Sequence, residues 1–588
     1  MRAANTTVHA ALIICTTSCA SGQQLGFTEV TQQAGIDAGY YTIPTSPEPT
    51  IMMAGGAVID ANVDGWPDLF VLTGGGAPDR LYINNKDGTF TDRAHEWGVD
   101  RVHFGAGASV GDVNNDGLPD IFVSSWDTTP NDADAGANLL YINTPEGRFV
   151  NRARESGVKS TSTITDGWSS AFGDYDLDGD LDLFVTGWRP GSDGNRLYRN
   201  NGNGHFTDVT LGVFGGNLVG IRGFTPAFAD MNGDGYPELL ISADFGTSTY
   251  FVNNRDGTFT RLRRTEAGIT EDCNGMGQVV ADLDNDGKLD WFISNIWEDP
   301  GGFYHGCGQA LYINRGDHTF VDNATLAGVE HGYWGWGTDA VDFDNDGVLD
   351  LAQVNGWPSG FWVANPCRLW RGLGNGLFEE IGAQCNFDDP DQGRGIVSLD
   401  YDNDGDMDLA TFNYNGPVRL YRNDTGVESG YCVRVRLDTS GRPDLAPDGR
   451  GSVIELLNQG ARQYRYIDGA PTFLATSELV EHFGMGADDE ADIIRVTWPD
   501  GRVTEVYGHK AGVTHVLRAP ATCGFPDQND DGVPDFGDFD PNLDGVVDIE
   551  DLYRAEGSPV DVNADGLIDA QDARCMGAAL RSREVSPR

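Results

Sequence analysis

The chain has 588 residues and carries 90 Asp and Glu against 39 Lys and Arg, which is a formal net charge of −51. Such an acidic balance argues against nucleic-acid partners, which are held by basic patches. The length exceeds a single ordinary hydrophobic core and therefore predicts several structural units.

Residues 1–22 have the pattern of a secretory signal peptide. A mostly small and apolar run covers residues 10–20 after the lone Arg2. A lipidated Cys19 is the alternative, although Thr16 stands where that signal prefers Leu. No later apolar run reaches the ~18 residues that a membrane span needs. We therefore expect an exported monomer, extracellular or at the cell surface, without a transmembrane segment.

A nine-residue acidic pattern, Asp-x-(Asp/Asn)-x-Asp-Gly-x-x-(Asp/Glu), recurs seven times at intervals of 52 to 62 residues. Oxygen side chains at loop positions 1, 3, 5 and 9, with a turn-forming Gly at position 6, make a cage that suits Ca²⁺ better than the strongly hydrated Mg²⁺. Plain acidic turns or a merely solubilising charge would not explain the register of the copies. The predicted Ca²⁺ ligands are Asp60, Asn62, Asp64, Asp68, Asp112, Asn114, Asp116, Asp120, Asp174, Asp176, Asp178, Asp182, Asp230, Asn232, Asp234, Glu238, Asp282, Asp284, Asp286, Asp290, Asp342, Asp344, Asp346, Asp350, Asp400, Asp402, Asp404 and Asp408. Because these carboxylates repel one another without metal, we expect the fold to loosen in chelator.

The surroundings of each acidic loop recur as well and predict four antiparallel strands per repeat. A strand of small residues precedes the loop, an apolar strand follows it, and an Asn/Asp-Gly hairpin joins two further strands. Four strands per ~50 to 60 residues are typical of a propeller blade. We therefore predict an all-β fold with a seven-bladed β-propeller over residues 26–425. The seventh repeat lacks a fourth strand, which residues 26–31 are predicted to supply beside residues 419–423, closing the ring.

These repeats resemble the FG-GAP and VCBS repeats of integrin α-chain propellers and of many exported bacterial proteins. The segment His-Phe-Gly-Ala-Gly-Ala at residues 103–108 is similar to the motif that names the FG-GAP family. The resemblance implies that each acidic loop joins the first and second strands of a blade and binds Ca²⁺. Glu238 stands for Asp at position 9 of the fourth loop, and Asn62, Asn114 and Asn232 stand for Asp at position 3, so the occupancy of individual loops stays open.

Residues 430–520 change to plain alternating strands, which predict a small β-sandwich-like domain. The segments at residues 449–453, 482–486 and 496–501 resemble three signatures of the ASPIC/UnbV domain. A propeller followed by this domain is the layout of the cartilage acidic protein family. The resemblance implies no catalytic activity.

A last acidic segment, residues 523–580, contains two twelve-residue loops with EF-hand-like spacing, as in dockerins. The resemblance implies a calcium-binding tail whose partner is a cohesin-like module. Gly557 and Pro559 cut short the helix expected after the first loop, which favours a calcium-stapled tail or a sorting module over cohesin binding. The predicted Ca²⁺ ligands are Asp540, Asn542, Asp544, Asp548, Asp551, Asp561, Asn563, Asp565, Asp569 and Asp572.

Seven Cys follow the predicted signal peptide, and their pairing does not follow from the sequence. An odd number leaves at least one of them unpaired. The pairs that we consider are Cys273 with Cys307, Cys367 with Cys385 and Cys523 with Cys575.

Aromatic residues between the strands indicate where a ligand would bind. Eight of the 13 Trp fall in the connections expected opposite the acidic loops. Four of these recur just after a second strand, which favours packing between repeats: Trp126, Trp188, Trp297 and Trp357. The predicted contact patch is the less repetitive set: Trp334, Trp336, Trp362, Tyr304 and Tyr333.

The motifs favour binding over catalysis. The chain contains no His-Glu-x-x-His or P-loop sequence, and the loop carboxylates are committed to cations. We therefore predict a secreted calcium-binding protein that acts in adhesion or in recognition of an extracellular glycan or protein ligand, and not an enzyme. A calcium-dependent polysaccharide-degrading lyase or hydrolase is the alternative, with His305 and His331, and Cys307 near them, as a metal-binding or acid/base group.

Overall fold

A computed structural model of the chain describes residues 25–43, 48–126, 137–159, 165–189, 194–270, 272–297, 306–426 and 430–520. The predicted signal peptide, Tyr304, His305 and the predicted tail with its loops from Asp540 and Asp561 lie outside the described residues. Within the described part of the chain, no helix has both the length and the apolar character needed to cross a membrane.

The repeat region is all-β and consists of four-stranded antiparallel units, an arrangement consistent with a propeller. We number these units repeat sheets 1 to 7 along the chain, and in the last of them the outer strand comes from the N-terminal segment. Their strands are Gly56–Ile59, Asp68–Val71, Arg80–Asn84 and Phe90–Asp92; Gly105–Gly111, Asp120–Ser125, Leu139–Ile142 and Val150–Asn151; Ser170–Gly173, Asp182–Val185, Arg196–Asn200 and Phe206–Asp208; Arg222–Ala229, Glu238–Asp244, Thr249–Asn253 and Phe259–Arg261; Gln278–Ala281, Asp290–Ile293, Ala310–Asn314 and Phe320–Asp322; Gly335–Val341, Asp350–Asn355, Arg368–Gly372 and Phe378–Glu380; Gly393–Leu399, Asp408–Asn413, Arg419–Asn423 and Phe27–Glu29.

The N-terminal strand pairs where the sequence predicts. In Phe27–Glu29, Phe27 lies opposite Asn423 and Glu29 opposite Tyr421. The first strand of each repeat sheet contacts the first strand of the next, and Gly393–Leu399 of sheet 7 also contacts Gly56–Ile59 of sheet 1. Because successive sheets pack through these strands, the acidic loops that follow them lie at one end of the repeat region.

Short helices and one two-stranded pairing connect the sheets. Four of the fourth strands are followed by a single helical turn that ends at a left-handed Gly. The helices are Ala94–Trp97, Thr210–Phe214, Arg264–Ala267 and Ala324–Ala327, the 3₁₀ helices are Glu48–Met52, Gly360–Ala364 and Pro447–Gly449, and the extra pair is Gly39–Tyr40 with Gly416–Pro417.

Residues 430–520, which we call the β domain, contain two sheets that share one hydrophobic core. Val433, Ile454, Phe483 and Trp498 are buried in that core. The strands are Tyr431–Asp438, Glu481–Gly486 and Thr514–Arg518 in one sheet, and Val453–Asn458, Ala461–Tyr466, Glu490–Thr497 and Val503–Lys510 in the other.

A hairpin of this β domain inserts between the first strands of the repeat sheets. Its two short strands, Pro471–Thr472 and Ala475–Thr476, extend repeat sheet 1, with Ala475 parallel to Gly56. Phe473 and Leu474 at its tip are fully buried. Room for the tip depends on glycines, because a Cβ on Gly107 would lie 2.9 Å from the Leu474 Cα. The two regions therefore form one packed body.

The predicted Cys273–Cys307 disulfide is present, which confirms that pair. The predicted Cys367–Cys385 pair is wrong: both thiols are free and buried, as is Cys432. The Cys385 carbonyl accepts a hydrogen bond from Phe27, whereas the Cys367 N–H donates to Asp389, so the two residues are held by different neighbours. Closeness in sequence does not decide pairing.

Candidate metal centre

Each acidic loop is a tight turn organised by the carboxylate at position 1. In the third loop, Oδ1 of Asp174 accepts the N–H of Asp178 at 3.1 Å, and Oδ2 accepts the N–H of Gly179 at 2.9 Å. Leu177 at position 4 has φ of 58°, inside the small left-handed region that side-chain-bearing residues can reach. Gly179 at position 6 has φ of 90°, outside that region, so Gly is favoured there.

The carboxylate at position 9 joins the loop to the sheet behind it. In the third loop, Asp182 is completely buried, and its two oxygens accept the N–H groups of Tyr175 at 3.3 Å and of Asn200 at 2.8 Å. The other six loops repeat this arrangement with Asp68, Asp120, Glu238, Asp290, Asp350 and Asp408. The position-9 acid therefore fixes the loop whether or not a cation is bound.

Four of the predicted loops bring three carboxylates close enough to share one cation. Their ligand oxygens lie within 4.8 Å of one another. The groups are Asp174, Asp176 and Asp182; Asp282, Asp284 and Asp290; Asp342, Asp344 and Asp350; and Asp400, Asp402 and Asp404. All four loops have Asp at position 3, and we call them the Asp-loops.

Unpaired oxygens in the Asp-loops fit a cation. Oδ1 of Asp176, of Asp344 and of Asp402 is buried and accepts no hydrogen bond. A buried carboxylate oxygen without a donor is costly, and such atoms call for an ion or a water molecule. Oxygen-only donor sets of this kind match the hard Ca²⁺ ion.

The three loops with Asn at position 3, the Asn-loops, are closed differently. The side-chain amide donates to the position-5 carboxylate, from Asn62 to Asp64 at 2.9 Å, from Asn114 to Asp116 at 3.0 Å and from Asn232 to Asp234 at 2.8 Å. In two of them a basic side chain also pairs with that carboxylate, Lys86 with Asp64 and Arg255 with Asp234. These loops form no three-carboxylate group within the described residues.

Burial leaves the loop acids poorly suited to carrying charge without metal. It raises the pKa of Asp68, Asp120 and Asp290 to about 8, although backbone N–H donors act in the opposite direction. The pKa of Asp182 and of Asp350 is also raised well above its usual value, first by burial and then by the neighbouring loop carboxylates. A bound cation would offset both effects.

An asparagine on the third strand connects six of the seven loops to the neighbouring repeat, and the sequence analysis does not predict this contact. Asn200 Nδ2 donates to the Val113 carbonyl of the second loop at 2.8 Å, and Asn84 Nδ2 donates to the Tyr401 carbonyl of the seventh loop at 2.7 Å. The same bond is made by Asn143, Asn253, Asn314 and Asn423. The recurring Leu-Tyr-x-Asn segments carried this signal, and repeat sheet 6 alone has Gly372 at the equivalent position.

The β domain covers part of the acidic-loop end. Arg434 donates to Asp400 Oδ2 at 2.8 Å and also pairs with Glu478. Glu478 in turn accepts the Asp400 N–H at 2.9 Å. Arg436 lies 3.5 Å from Asp60 Oδ2. The position-1 acids of the first and seventh loops therefore face arginines of the other region.

The predicted aromatic contact patch is only partly exposed. Tyr333 and Trp334 are half-buried, but Trp336 and Trp362 are 1% and 9% exposed. Trp336 donates its indole N–H to the Gly356 carbonyl at 2.7 Å, so its side chain is part of the packed interior beneath the patch. The Trp334 and Trp336 side chains lie on the same side of the backbone, as residues two apart in a strand do, and their rings stack with centroids 6.4 Å apart. Trp336 is the more deeply buried of the two.

Two catalytic readings find little support in the described residues. Cys307, considered beside His305 and His331, is in the disulfide, and His331 packs against Trp297 and Tyr333. Residues 107–111 match the nucleophile-elbow pattern Gly-x-Ser-x-Gly, but they lie within a regular strand. Ser109 there is buried and its hydroxyl meets that of Ser170 at 2.7 Å, so it is a packing residue.

Two protein families match the chain. The FG-GAP-like repeat family matches residues 60–123, 129–185, 178–241, 230–293 and 305–352. The ASPIC and UnbV family matches residues 443–523. The chain is thus a protein of FG-GAP-like repeats followed by an ASPIC/UnbV domain, as the sequence motifs predict.

The chain is also homologous to cartilage acidic protein 1. It is 27% identical to the Homo sapiens protein over 276 residues, which is 45% of this chain and 39% of that protein. It is 25% identical to the Xenopus tropicalis protein over 484 residues, which is 68% of this chain and 70% of that protein. The match therefore spans about two fifths of the length of the human relative.

Solved structures show weaker likeness. The rhamnogalacturonan lyase YesW matches 64% of this chain and 72% of its own at 15% identity and a TM-score of 0.34. The Vibrio cholerae biofilm matrix protein Bap1 matches 82% of this chain and 62% of its own at 14% identity and a TM-score of 0.31. Scores this low carry no argument about this protein.

Proposed function

We propose that the chain is a closed seven-bladed propeller whose Asp-loops bind Ca²⁺ and whose end opposite those loops recognises an extracellular ligand. The observation that carries the calcium assignment is the set of buried, unpaired carboxylate oxygens on Asp176, Asp344 and Asp402. Closure is supported by the contact between the first strands of repeat sheets 7 and 1 and by the bond from Asn84 to the Tyr401 carbonyl.

Calcium would be held by the acids at positions 1, 3, 5 and 9 of the loops. When bound, the ion supplies the positive charge that the buried acids lack. Asp-loops take it first because in three of them a position-3 oxygen is free to ligate, whereas in the Asn-loops the position-5 acid already has an amide partner. The ligands predicted in the tail, from Asp540 to Asp572, would add two EF-hand-like sites.

Recognition is assigned to the end opposite the loops. The β domain lies over loops at the other end, and its hairpin tip with Phe473 and Leu474 fills space between the first strands. The opposite end carries half-buried aromatic side chains, among them Trp188, Trp297 and Trp357. Aromatic faces bind sugar rings and protein loops, so adhesion or glycan recognition fits this end and catalysis is not expected.

An extracellular setting is supported by two observations. The Cys273–Cys307 disulfide suits an oxidising compartment. The homologous proteins are named for cartilage, a tissue that consists largely of extracellular matrix. A cohesin-like partner for the tail stays part of this proposal and is tested separately by adding a cohesin.

A retention screen with a chemical readout tests the proposal. The purified full chain is passed over immobilised polysaccharides and extracellular matrix proteins, in CaCl₂ and in EGTA. We expect retention on at least one surface in CaCl₂ only, with no new reducing or unsaturated ends. New ends that vanish in His331→Ala would instead establish the polysaccharide-degrading enzyme, and no retention on any surface would refute a recognition role.

A further inference from the structure

Two histidines meet at the last hairpin of the β domain. His509 is the next-to-last residue of the strand Val503–Lys510, and His515 is the second residue of the strand Thr514–Arg518. Their Nδ1 atoms lie 2.9 Å apart, and the two rings are nearly perpendicular, with an interplanar angle of 88°. Both side chains keep accessible surface. A dissolved ion can therefore reach the pair from solvent.

The Lys510 carbonyl fixes the tautomer of His515. Its oxygen lies 2.9 Å from His515 Nε2. Because a carbonyl oxygen only accepts hydrogen bonds, Nε2 carries a hydrogen, and the lone pair of a neutral His515 is on Nδ1. Metal-binding histidines are held in this way, with the second ring nitrogen donating to a backbone carbonyl or a carboxylate. His515 thus turns a nitrogen lone pair towards His509.

His509 is also prepared to act as a neutral ligand. Burial lowers the pKa of His509 below its usual value, and His515 lowers it further, although Glu490 acts in the opposite direction. A neutral His509 can carry its hydrogen on Nδ1 and share it with His515, or carry it on Nε2 and leave a second lone pair beside the first. In the second form the two lone pairs repel each other unless a cation lies between them.

The separation of the two nitrogens suits a metal ion. Two nitrogens that each lie ~2.0 Å from one ion are about 2.8 Å apart when the ion–nitrogen bonds are at right angles, and about 3.3 Å apart at the tetrahedral angle. The observed 2.9 Å is close to the first value. Ligands at right angles are typical of tetragonal Cu²⁺ and Ni²⁺ sites, and Cu²⁺ binds most tightly among the divalent ions of the first transition row.

We propose that His509 and His515 bind a divalent transition-metal ion through their two Nδ1 atoms, with Cu²⁺ preferred. His509 lies on the edge strand of one sheet of the β domain and His515 on the edge strand of the other, so the bound ion joins the two sheets. The site is separate from the acidic loops, because imidazole nitrogens suit copper, nickel and zinc, whereas Ca²⁺ takes oxygen ligands. It goes beyond the function proposed above and does not rest on it.

Electron paramagnetic resonance of the full chain with one equivalent of CuCl₂ tests the site. The buffer contains excess CaCl₂, which competes with copper for carboxylate ligands. We expect nitrogen couplings from two imidazoles in the unaltered chain. His509→Gln and His515→Gln should each remove one of these couplings and lower the affinity for Cu²⁺ at least about tenfold, measured by isothermal titration. Thermal unfolding without copper verifies that each variant is folded.

His95→Gln is the matched control, because the His95 side chain is 92% exposed and its Nδ1 faces a single carboxylate, that of Asp100, at 2.7 Å. Copper binding that His95→Gln keeps and that both hairpin variants weaken supports the site. Fewer than two coupled imidazoles in the unaltered chain, or an affinity that both hairpin variants keep, overturns it. A loss in only one hairpin variant also overturns the shared site, because it leaves a single histidine as the ligand.

Discussion

The Asp-loops and the Asn-loops have the same backbone turn but differ in one side-chain group. In both classes the position-1 acid holds the turn, as Asp174 does in an Asp-loop and Asp112 in an Asn-loop. The carboxylate of Asp176 leaves an oxygen unpaired, whereas the amide of Asn114 closes on Asp116. Loop geometry and cation binding are therefore separate properties, set by different positions.

This separation explains how the seven repeats can share one backbone structure although their acidic loops differ in the groups available to bind a cation. The position-9 acid accepts two backbone N–H groups in both classes, from Tyr175 and Asn200 at Asp182 and from Val113 and Asn143 at Asp120. The sheet behind each loop is thus held without metal. On the proposed assignment, calcium adds stability mainly through the Asp-loops.

Removal of calcium should have the largest effect. A site whose ligand is present at 100 times its Kd adds about 2.7 kcal/mol to the free energy of unfolding, so four Asp-loops would contribute about 11 kcal/mol. We expect a large fall in Tm in EGTA, measured by calorimetry of the full chain. MgCl₂ in place of CaCl₂ should restore only a small part. An unchanged Tm together with no heat of calcium binding would show that the Asp-loops do not bind calcium. The two loop classes would then not differ in metal affinity.

Substitution at position 9 should destabilise both loop classes alike. Asp350→Asn and Asp120→Asn each place an amide donor against a backbone N–H and remove one acceptor, and we expect each to lower the free energy of unfolding in EGTA by about 2 to 3 kcal/mol. Urea unfolding measures the change. The exposed Asp256, on a hairpin turn, supplies the control Asp256→Asn, which should change it little. A much smaller effect for Asp120→Asn than for Asp350→Asn would mean that the position-9 carboxylate does not stabilise both loop classes alike.

The strands, the loops and the order of the two regions follow from local sequence. Each acidic loop contains its own turn residues, and the apolar residues directly after it predict the next strand. The repeat sheets could therefore be predicted from local sequence. The third-strand asparagines were visible as a recurrence, but their partners, such as the Val113 carbonyl for Asn200, lie in the preceding repeat.

Contacts between distant segments could not be predicted. The parallel pairing of Ala475 with Gly56 joins residues more than four hundred positions apart, and no local pattern encodes it. The burial of Trp336 beside the half-buried Trp334 depends on how a strand end meets the hairpin tip at Phe473. The free thiols of Cys367 and Cys385 show the same limit, because the distance between two Cys in the sequence does not show whether their side chains meet in the fold.

Exchange of the position-3 residue should convert one loop class into the other. Asp176→Asn is expected to remove one tight site from the four, and Asn114→Asp to add one. Isothermal titration of the metal-free chain with CaCl₂ counts the sites. Each exchange should change the calcium-dependent part of the free energy of unfolding by about 2.7 kcal/mol at 100 times the Kd.

Asn115→Asp, at position 4 of the same loop as Asn114, adds an equal charge without a ligand position and is the control for that exchange. A gain of one tight site in Asn115→Asp as well would mean that net charge, and not the position-3 oxygen, separates the two classes.

Loss of one third-strand asparagine should give the smallest effect and should not distinguish the classes. Asn200→Ala removes the bond to the second loop, an Asn-loop, and Asn253→Ala removes the bond to the third loop, an Asp-loop. Each side chain also bonds a carbonyl of its own repeat, so we expect a loss of about 1 to 2 kcal/mol in EGTA for either variant. Asn254→Ala, at the exposed neighbour whose side chain bonds only Thr258 and Thr260 of its own hairpin, should lose less than about 0.5 kcal/mol. Equal losses of unfolding free energy in calcium and in EGTA would show that these bonds hold adjacent repeats together independently of the ions. A loss seen only for Asn253→Ala and only in calcium would show that the bond depends on an occupied Asp-loop. That result would contradict the separation of loop geometry from metal binding.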